Sequence, residues 1–335
     1  MRLPADAPRI APWTSSQIPL VWFTPVMGLC GLAMAWRKGE QILGVAVGWS
    51  TLPFACALAA FAFAAANLGL AVRRHPAILL RDWRDPARIN AFATVTLAPI
   101  LVASFLAEPA PALAEPIWLF GVLLHLGLTF VSLRRWIDAR DLAVTSLGPI
   151  WFMPIVGNLL VPVAGVELGH LDLSWFCFSV GIAFWPLLLG LVLHRLFFHA
   201  PLEDELHPTL FILISPPAVG FVAYLTLAGA VDRIALVLFD LTLFALLFLA
   251  TLLPRLVRRR FSMLWWSFSF PTTAATVAIV DRAQALGGTM AFACGAAMIL
   301  VSTVVVAGLG LWTLRVLAVE TFAAISAGAG PSRAG

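Results

Sequence analysis

Charged residues are scarce in this sequence. Of its 335 residues, 11% are Asp, Glu, Lys or Arg, whereas 61% are hydrophobic. Soluble domains contain about 25% charged residues. Because so few polar groups cannot cover a protein surface in water, the composition excludes an ordinary soluble protein and indicates an integral membrane protein embedded in a lipid bilayer.

The sequence also lacks the motifs of metal centres, disulfide frameworks and nucleotide-driven pumps. Its four cysteines lie singly in apolar segments, with no Cys-x-x-Cys pair and no Cys/His cluster. It contains no GxxxxGK[ST] loop and no cluster of acid, base or metal ligands of the kind an enzyme needs. We therefore expect no metal, no cofactor and no enzymatic activity. The polar residues up to Gln17 predict that there is no cleavable signal peptide.

Apolar runs recur ten times along the chain. A spanning helix needs about 20 apolar residues. We therefore predict an all-α integral membrane domain over 18–318, between short tails at 1–17 and 319–335. The ten predicted spans are 18–36, 42–72, 90–107, 116–136, 144–166, 173–198, 209–229, 233–254, 261–282 and 287–318.

Lysine and arginine predict the orientation of these spans. Most of the 21 Lys and Arg residues lie in the two tails and in the even-numbered loops. The positive-inside rule then places both termini in the cytoplasm, and the short tails favour the bacterial inner membrane. The net charge of +4 thus reflects topology, and we expect no nucleic-acid partner.

The loop 73–88 is either a short interfacial helix or a solvated charged linker.

Prolines interrupt every odd-numbered span near its middle. They are Pro25, Pro99, Pro154, the pair Pro216 and Pro217, and Pro271. A proline removes one bond of the helical ladder, and unpaired backbone groups at membrane depth are tolerated only inside protein or beside a water-filled cavity. The alternation predicts five helical hairpins, in which the odd helices surround a central pore and the even helices lie outside. Ordinary packing of membrane helices is the alternative explanation.

Small and hydroxyl-bearing residues accompany these prolines, whereas Asp, Glu, Lys and Arg are absent from 18–36, 91–107, 144–166, 209–229 and 261–280. Without fixed charge in the pore, the N-terminal ends of broken helices favour a small anion as cargo. Asp240 and His125 are candidate intramembrane proton sites, or else hydrogen-bond partners of neighbouring helices. The candidate pore-lining residues are Thr24, Gly28, Thr96, Gly157, Asn158, Ser215, Gly220, Ser267 and Thr273.

Three segments resemble the tellurite-resistance/dicarboxylate transporter family, which includes the plant slow-type anion channels. They are HPTLFILISPPAVGFVAYL (207–225), GLCGLAMAWR (28–37) and LWWSFSFPTTAATVA (264–278). The resemblance implies ten helices around one pore per subunit, a homotrimer, and conduction of small anions such as chloride or nitrate. It also implies a gating phenylalanine on the ninth helix. That role falls on Phe270, or on Phe268 if the segments align two residues apart.

Two other functions remain open from the sequence. The first is a proton-coupled exporter of C4-dicarboxylates, sulfite or tellurite on the same fold, which predicts a role for Asp240 or His125. The second is a non-conducting membrane scaffold or sensor, which predicts no flux from any variant.

Overall fold

Helices form all the regular structure of the described chain. The computed structural model describes residues 18–44, 47–140, 142–257 and 261–328, and within these ranges every regular element is an α-helix or a 3₁₀ helix. The predicted tail 1–17 lies outside the described residues. The elements group into ten spans, numbered here in chain order.

The bounds of the spans are as follows. Span 1 comprises Ile18–Val21 and Thr24–Leu43; span 2 is Thr51–Arg74; span 3 comprises Ile89–Phe92 and Ala93–Leu106; span 4 is Pro111–Asp138. Span 5 comprises Pro149–Phe152, Met153–Val156, Gly157–Leu160 and Val161–Gly165; span 6 is Leu171–Phe198. Span 7 comprises Asp204–Ile214 and Ser215–Ala228; span 8 is Arg233–Ala250; span 9 comprises Met263–Phe268 and Ser269–Leu286; span 10 is Thr289–Gly328.

Eight of these spans have the length and apolar composition of a membrane-crossing helix. Span 5 is a shorter apolar segment, and span 1 carries charged residues near its end. The all-α membrane fold of ten apolar segments is therefore as predicted, but several boundaries differ. Span 1 continues to Leu43, where Gly44 adopts a left-handed conformation (φ 63°) that ends the helix. Span 10 continues to Gly328, so the predicted C-terminal tail is helical over 319–328.

The odd-numbered spans form a closed inner circle. Span 1 packs against span 3, span 3 against span 5, span 5 against span 7, span 7 against span 9, and span 9 against span 1. Each even-numbered span packs outside this circle, against two neighbouring odd spans. For spans 2 to 8 these are the odd spans before and after it in the chain, and for span 10 they are spans 9 and 1. The chain is therefore five consecutive hairpins arranged around one axis.

Burial follows the same division. We compare the most apolar 18-residue stretch of each span. The buried share of its residues is 72% in span 3, 61% in span 7 and 78% in span 9. The corresponding shares in spans 2, 4, 6, 8 and 10 are 11%, 39%, 33%, 22% and 22%. Because apolar residues of the outer helices would be exposed in water, their surface is suited to lipid.

The prolines mark changes of helix type. Pro25, Pro154, Pro216, Pro217 and Pro271 all lie within the first three residues of an α-helical segment, whereas Pro99 lies inside Ala93–Leu106. Backbone N–H groups in the first helical turn have no partner within the helix, so a proline there removes no bond. In spans 3, 7 and 9 a 3₁₀ helix leads directly into the α-helix. The helical pitch of these spans therefore changes where the 3₁₀ segment meets the α-helix.

Two backbone carbonyl groups that receive no hydrogen bond from a proline four residues later accept hydrogen bonds from other donors. Pro216 has no N–H to donate to the Ile212 carbonyl, which instead accepts the Ser215 N–H. Pro25 cannot donate to the Val21 carbonyl, which accepts the Thr24 hydroxyl at 2.7 Å. The proline interruptions are therefore compatible with a low-dielectric surrounding.

The loop 73–88 is a packed helical segment and not a solvated linker. Its helix, Pro76–Arg84, carries Asp82 with a fully buried side chain that accepts a hydrogen bond from Arg88 Nη1 at 3.0 Å. Trp136 of span 4 donates to the Pro86 carbonyl at 3.0 Å. This segment therefore holds the ends of spans 2, 3 and 4 together.

Candidate functional site: a central pathway through the inner helices

A cavity lies at the centre of the inner circle. All five odd-numbered spans contribute to its wall. One lining residue from each is Thr24, Leu97, Gly157, Ser215 and Phe270. Apart from hydroxyl groups such as those of Thr24, Ser215 and Ser267, the wall is apolar.

A second cavity continues the first along the same helices. It is smaller, and it too is lined from all five odd-numbered spans. Gly31, Leu101, Val163, Val222 and Val277 represent spans 1, 3, 5, 7 and 9 in its wall. Since these residues follow those of the first cavity along their helices, the two cavities form one pathway.

Three side chains line both cavities and therefore form the layer between them. They are Leu160 of span 5, Val219 of span 7 and Phe270 of span 9. Phe270 is the largest of the three. A layer of apolar side chains between two cavities is a steric and hydrophobic constriction.

Phe270 is held by the close contact of spans 1 and 9. A Cβ atom at Gly31 would lie 3.6 Å from Cδ2 of Phe270, and the Phe270 carbonyl accepts the Thr273 hydroxyl at 2.9 Å. Phe268, in contrast, packs its ring 4.0 Å (centroid to centroid) from that of Phe211 in span 7 and lines neither cavity. The geometry thus places Phe270, and not Phe268, on the pathway.

The sequence-predicted lining residues divide into two groups. Thr24, Gly157, Ser215 and Ser267 line the first cavity. The others line neither cavity and serve helix packing or hydrogen bonding: Gly28, Thr96, Asn158, Gly220 and Thr273.

Contacts of the residues that line neither cavity explain why they lie outside the pathway. A Cβ at Gly28 would overlap Ser269 of span 9, so glycine allows spans 1 and 9 to approach closely. Asn158 Nδ2 donates to the Thr129 hydroxyl at 2.9 Å and to the Ile155 carbonyl at 2.8 Å. Residues of both groups share the same small or polar character, which is why the sequence does not separate them.

The two candidate proton sites lie outside the pathway. Asp240 is exposed on outer span 8. His125 of span 4 is fully buried, with Nδ1 2.8 Å from the Thr96 hydroxyl oxygen of span 3. A Cβ at Gly157 would lie 2.7 Å from His125 Nε2, so His125 fills the space behind the cavity wall and hydrogen-bonds a neighbouring helix.

Charged residues appear one helical turn beyond the second cavity. Because residues i and i+4 share a helix face, Lys38 and Asp281 continue the wall of the pathway, since they follow the lining residues Met34 and Val277 by four positions. Glu167 lies in the turn that follows Val161–Gly165 of span 5. With Arg37 and Glu108 these three residues form a cluster that we call the charged mouth. Each of these residues lies just beyond an uncharged stretch of the sequence, so its position in the sequence does not indicate a site.

Ion pairs and aromatic contacts organise the charged mouth. Lys38 Nζ lies 2.9 Å from Asp281 Oδ1. The Arg37 guanidinium lies over the Phe105 ring, 3.4 Å from its centroid, donates to the Phe105 carbonyl, and is 4.0 Å from Glu108. Partial burial raises the pKa of Glu167, as does the neighbouring Glu108, while Arg37 and Lys38 act in the opposite direction.

Comparison with known proteins gives consistent matches. A family model described as voltage-dependent anion channel matches residues 17–314. The chain is 26% identical over 243 residues to guard cell S-type anion channel SLAC1 of Arabidopsis thaliana, covering 70% of this chain and 43% of that protein. It is 24% identical over 255 residues to the tellurite resistance protein TehA homolog of Haemophilus influenzae, covering 76% and 77%. The aligned part thus spans less than half of the plant relative.

Proposed function

Because the chain belongs to the voltage-dependent anion channel family, we propose that it conducts small anions, such as chloride or nitrate, along the axis of its inner helices, with Phe270 closing the pathway. The observation that carries this proposal is the position of Phe270, which lines both central cavities.

An apolar constriction is sufficient to close such a pathway. The Phe270 ring, together with Leu160 and Val219, offers no hydrogen bond to an anion or to water. A hydrated ion would have to shed its water shell there, so the constriction blocks it sterically and by dewetting. Rotation of one aromatic side chain into the neighbouring cavity would open a continuous route.

Selectivity for anions then depends on the ends of the inner helices. The inner spans carry α-helix N-termini beside the first cavity, at Thr24, Ser215 and Ser269. Helix N-termini carry partial positive charge and favour anions. The wall of the first cavity has no carboxylate among its lining residues, in keeping with this selectivity.

The orientation and assembly belong to the same proposal. The distribution of Lys and Arg favours cytoplasmic termini, and the charged mouth, at the C-terminal ends of the odd spans, then faces the outside. A bacterial inner membrane and a homotrimer with one pathway per subunit fit the bacterial relative and the family resemblance of the sequence.

Flux from proteoliposomes tests the function. We expect the wild type to release chloride or nitrate slowly and the Phe270→Ala variant to release it about tenfold faster or more, since the constriction is removed. The flux should proceed without a pH gradient. Flux that requires a pH gradient would favour a proton-coupled exporter, and no flux from either protein, with both shown to be folded, would favour a scaffold or sensor.

A further inference from the structure

The charged mouth presents one ammonium group to the pathway. Lys38 follows Met34 by one helical turn and therefore lies above the second cavity on the same face of span 1. Its side chain is 38% exposed, whereas that of its partner Asp281 is 5% exposed. The buried carboxylate thus fixes the lysine, and the exposed part of the lysine faces the entrance.

Lys38 retains hydrogen-bonding capacity and is more exposed than Arg37, whose side chain is 20% exposed. An ammonium group has three N–H donors, and the contact with Asp281 uses one of them. The Arg37 guanidinium, in contrast, is engaged with the ring and carbonyl of Phe105 and lies near Glu108. Of these two cations, Lys38 is the more exposed and therefore the better placed to receive an entering anion.

The charges of the mouth face each other across the axis. Glu167 lies two residues beyond the last helical segment of span 5, close enough to Arg37 and Lys38 of span 1 for their charges to favour its ionised form. Spans 1 and 5 are separated by span 3 in the inner circle, so this interaction spans the entrance.

We propose that Lys38 is the residue that selects anions at the charged mouth, where its ammonium binds a small monovalent anion before the anion enters the second cavity. Asp281 is a positioning residue, because it holds Lys38 at the entrance and does not itself contact the anion. This proposal rests on the proposed anion-conducting function and assigns its entrance site.

A set of variants in the conducting Phe270→Ala background isolates the ammonium charge. Asp281→Asn retains an amide oxygen to accept from Lys38 and leaves its charge in place. Asp281→Asn with Lys38→Met removes that charge, and Asp281→Asn with Lys38→Arg restores it. The matched control is Asp281→Asn with Arg233→Met, because Arg233 is an exposed cation at the start of outer span 8, at the same end of the molecule.

Single-channel conductance is measured in about 0.1 M and about 1 M potassium chloride, where the Debye length is about 10 Å and about 3 Å. We expect Lys38→Met to lower conductance about threefold in the lower salt, with little change in the higher salt, because local concentration of counter-ions by a charge is screened. The Arg variant and the Arg233 control should retain full conductance.

Equal conductance with and without Lys38→Met at low salt would overturn the entrance site while leaving the channel function intact. Absence of current from Phe270→Ala itself would overturn the channel function and this proposal with it. If Asp281→Asn does not fold, Lys38→Gln alone replaces it. We then expect a loss of conductance at low salt, because the ammonium charge is removed, and unchanged conductance would overturn the proposal.

Discussion

Gly31 of span 1 lies directly against the ring of Phe270 in span 9. A Cβ atom at residue 31 would be 3.6 Å from Cδ2 of Phe270 and 2.9 Å from Cβ of Thr273. The absence of a side chain at this position therefore sets how closely the two helices pack and, with it, where the constricting ring lies.

Gly31→Ala should destabilise the protein and disturb the constriction. Its added methyl group must displace Thr273 or span 9, and overpacking of this kind costs about 1–3 kcal/mol. Thermal unfolding in detergent measures the loss. Gly69→Ala in outer span 2 is the control, because a Cβ there has no neighbour within 4 Å, and we expect it to be neutral or slightly stabilising. Equal melting temperatures for the two variants would contradict the close packing.

Glu167 should make conduction sensitive to pH at the charged mouth. Its pKa is raised by partial burial and by Glu108, against the opposing effect of Arg37 and Lys38. As the pH on that side falls, Glu167 takes up a proton and becomes neutral at a higher pH than an ordinary glutamate would. The entrance then carries one negative charge fewer, and we expect anion conductance of Phe270→Ala to increase.

The Glu167→Gln variant checks this dependence in the same recordings. Its conductance should be high at neutral pH and should not rise further on acidification. Asp172→Asn, at the start of outer span 6 on the same side of the molecule, provides a matched charge change away from the axis and should behave like the parent protein. A parent-like pH response in Glu167→Gln would rule out Glu167 as its source.

His125 should act as a packing residue and not as a proton carrier. Its hydrogen bond with Thr96 is buried between spans 3 and 4, so His125→Leu should lower the free energy of unfolding by about 1–3 kcal/mol. The pH dependence of flux in proteoliposomes should remain as in the parent. Loss of pH dependence in a folded His125→Leu protein would instead support the proton-coupled exporter.

The inner and outer helices could be predicted from proline positions, because proline is tolerated at membrane depth only where backbone groups are protected. The identity of Phe270 came from a resemblance, since an aromatic residue in an apolar span otherwise indicates only packing. Gly28 shows that residue type alone does not predict a pore-lining position, because a glycine that brings two helices together looks the same in sequence as one that lines a pore.

The charged mouth could not be predicted, because it depends on residues that the fold brings together. Lys38 and Asp281 are far apart in the sequence, and each lies just past the end of an apolar stretch, where a charged residue is ordinary. Only the contact of spans 1 and 9 makes them an ion pair at the entrance.

Current through planar bilayers most directly tests the claim that Phe270 closes a central anion pathway. Wild type, Phe270→Ala and Phe268→Ala are recorded under a chloride gradient. Phe268 is the matched control, because its ring packs on Phe211 and lines neither cavity. We predict a large, anion-selective current from Phe270→Ala and little current from the other two. Silence from the folded Phe270→Ala protein, or equal currents from both alanine variants, would contradict the account.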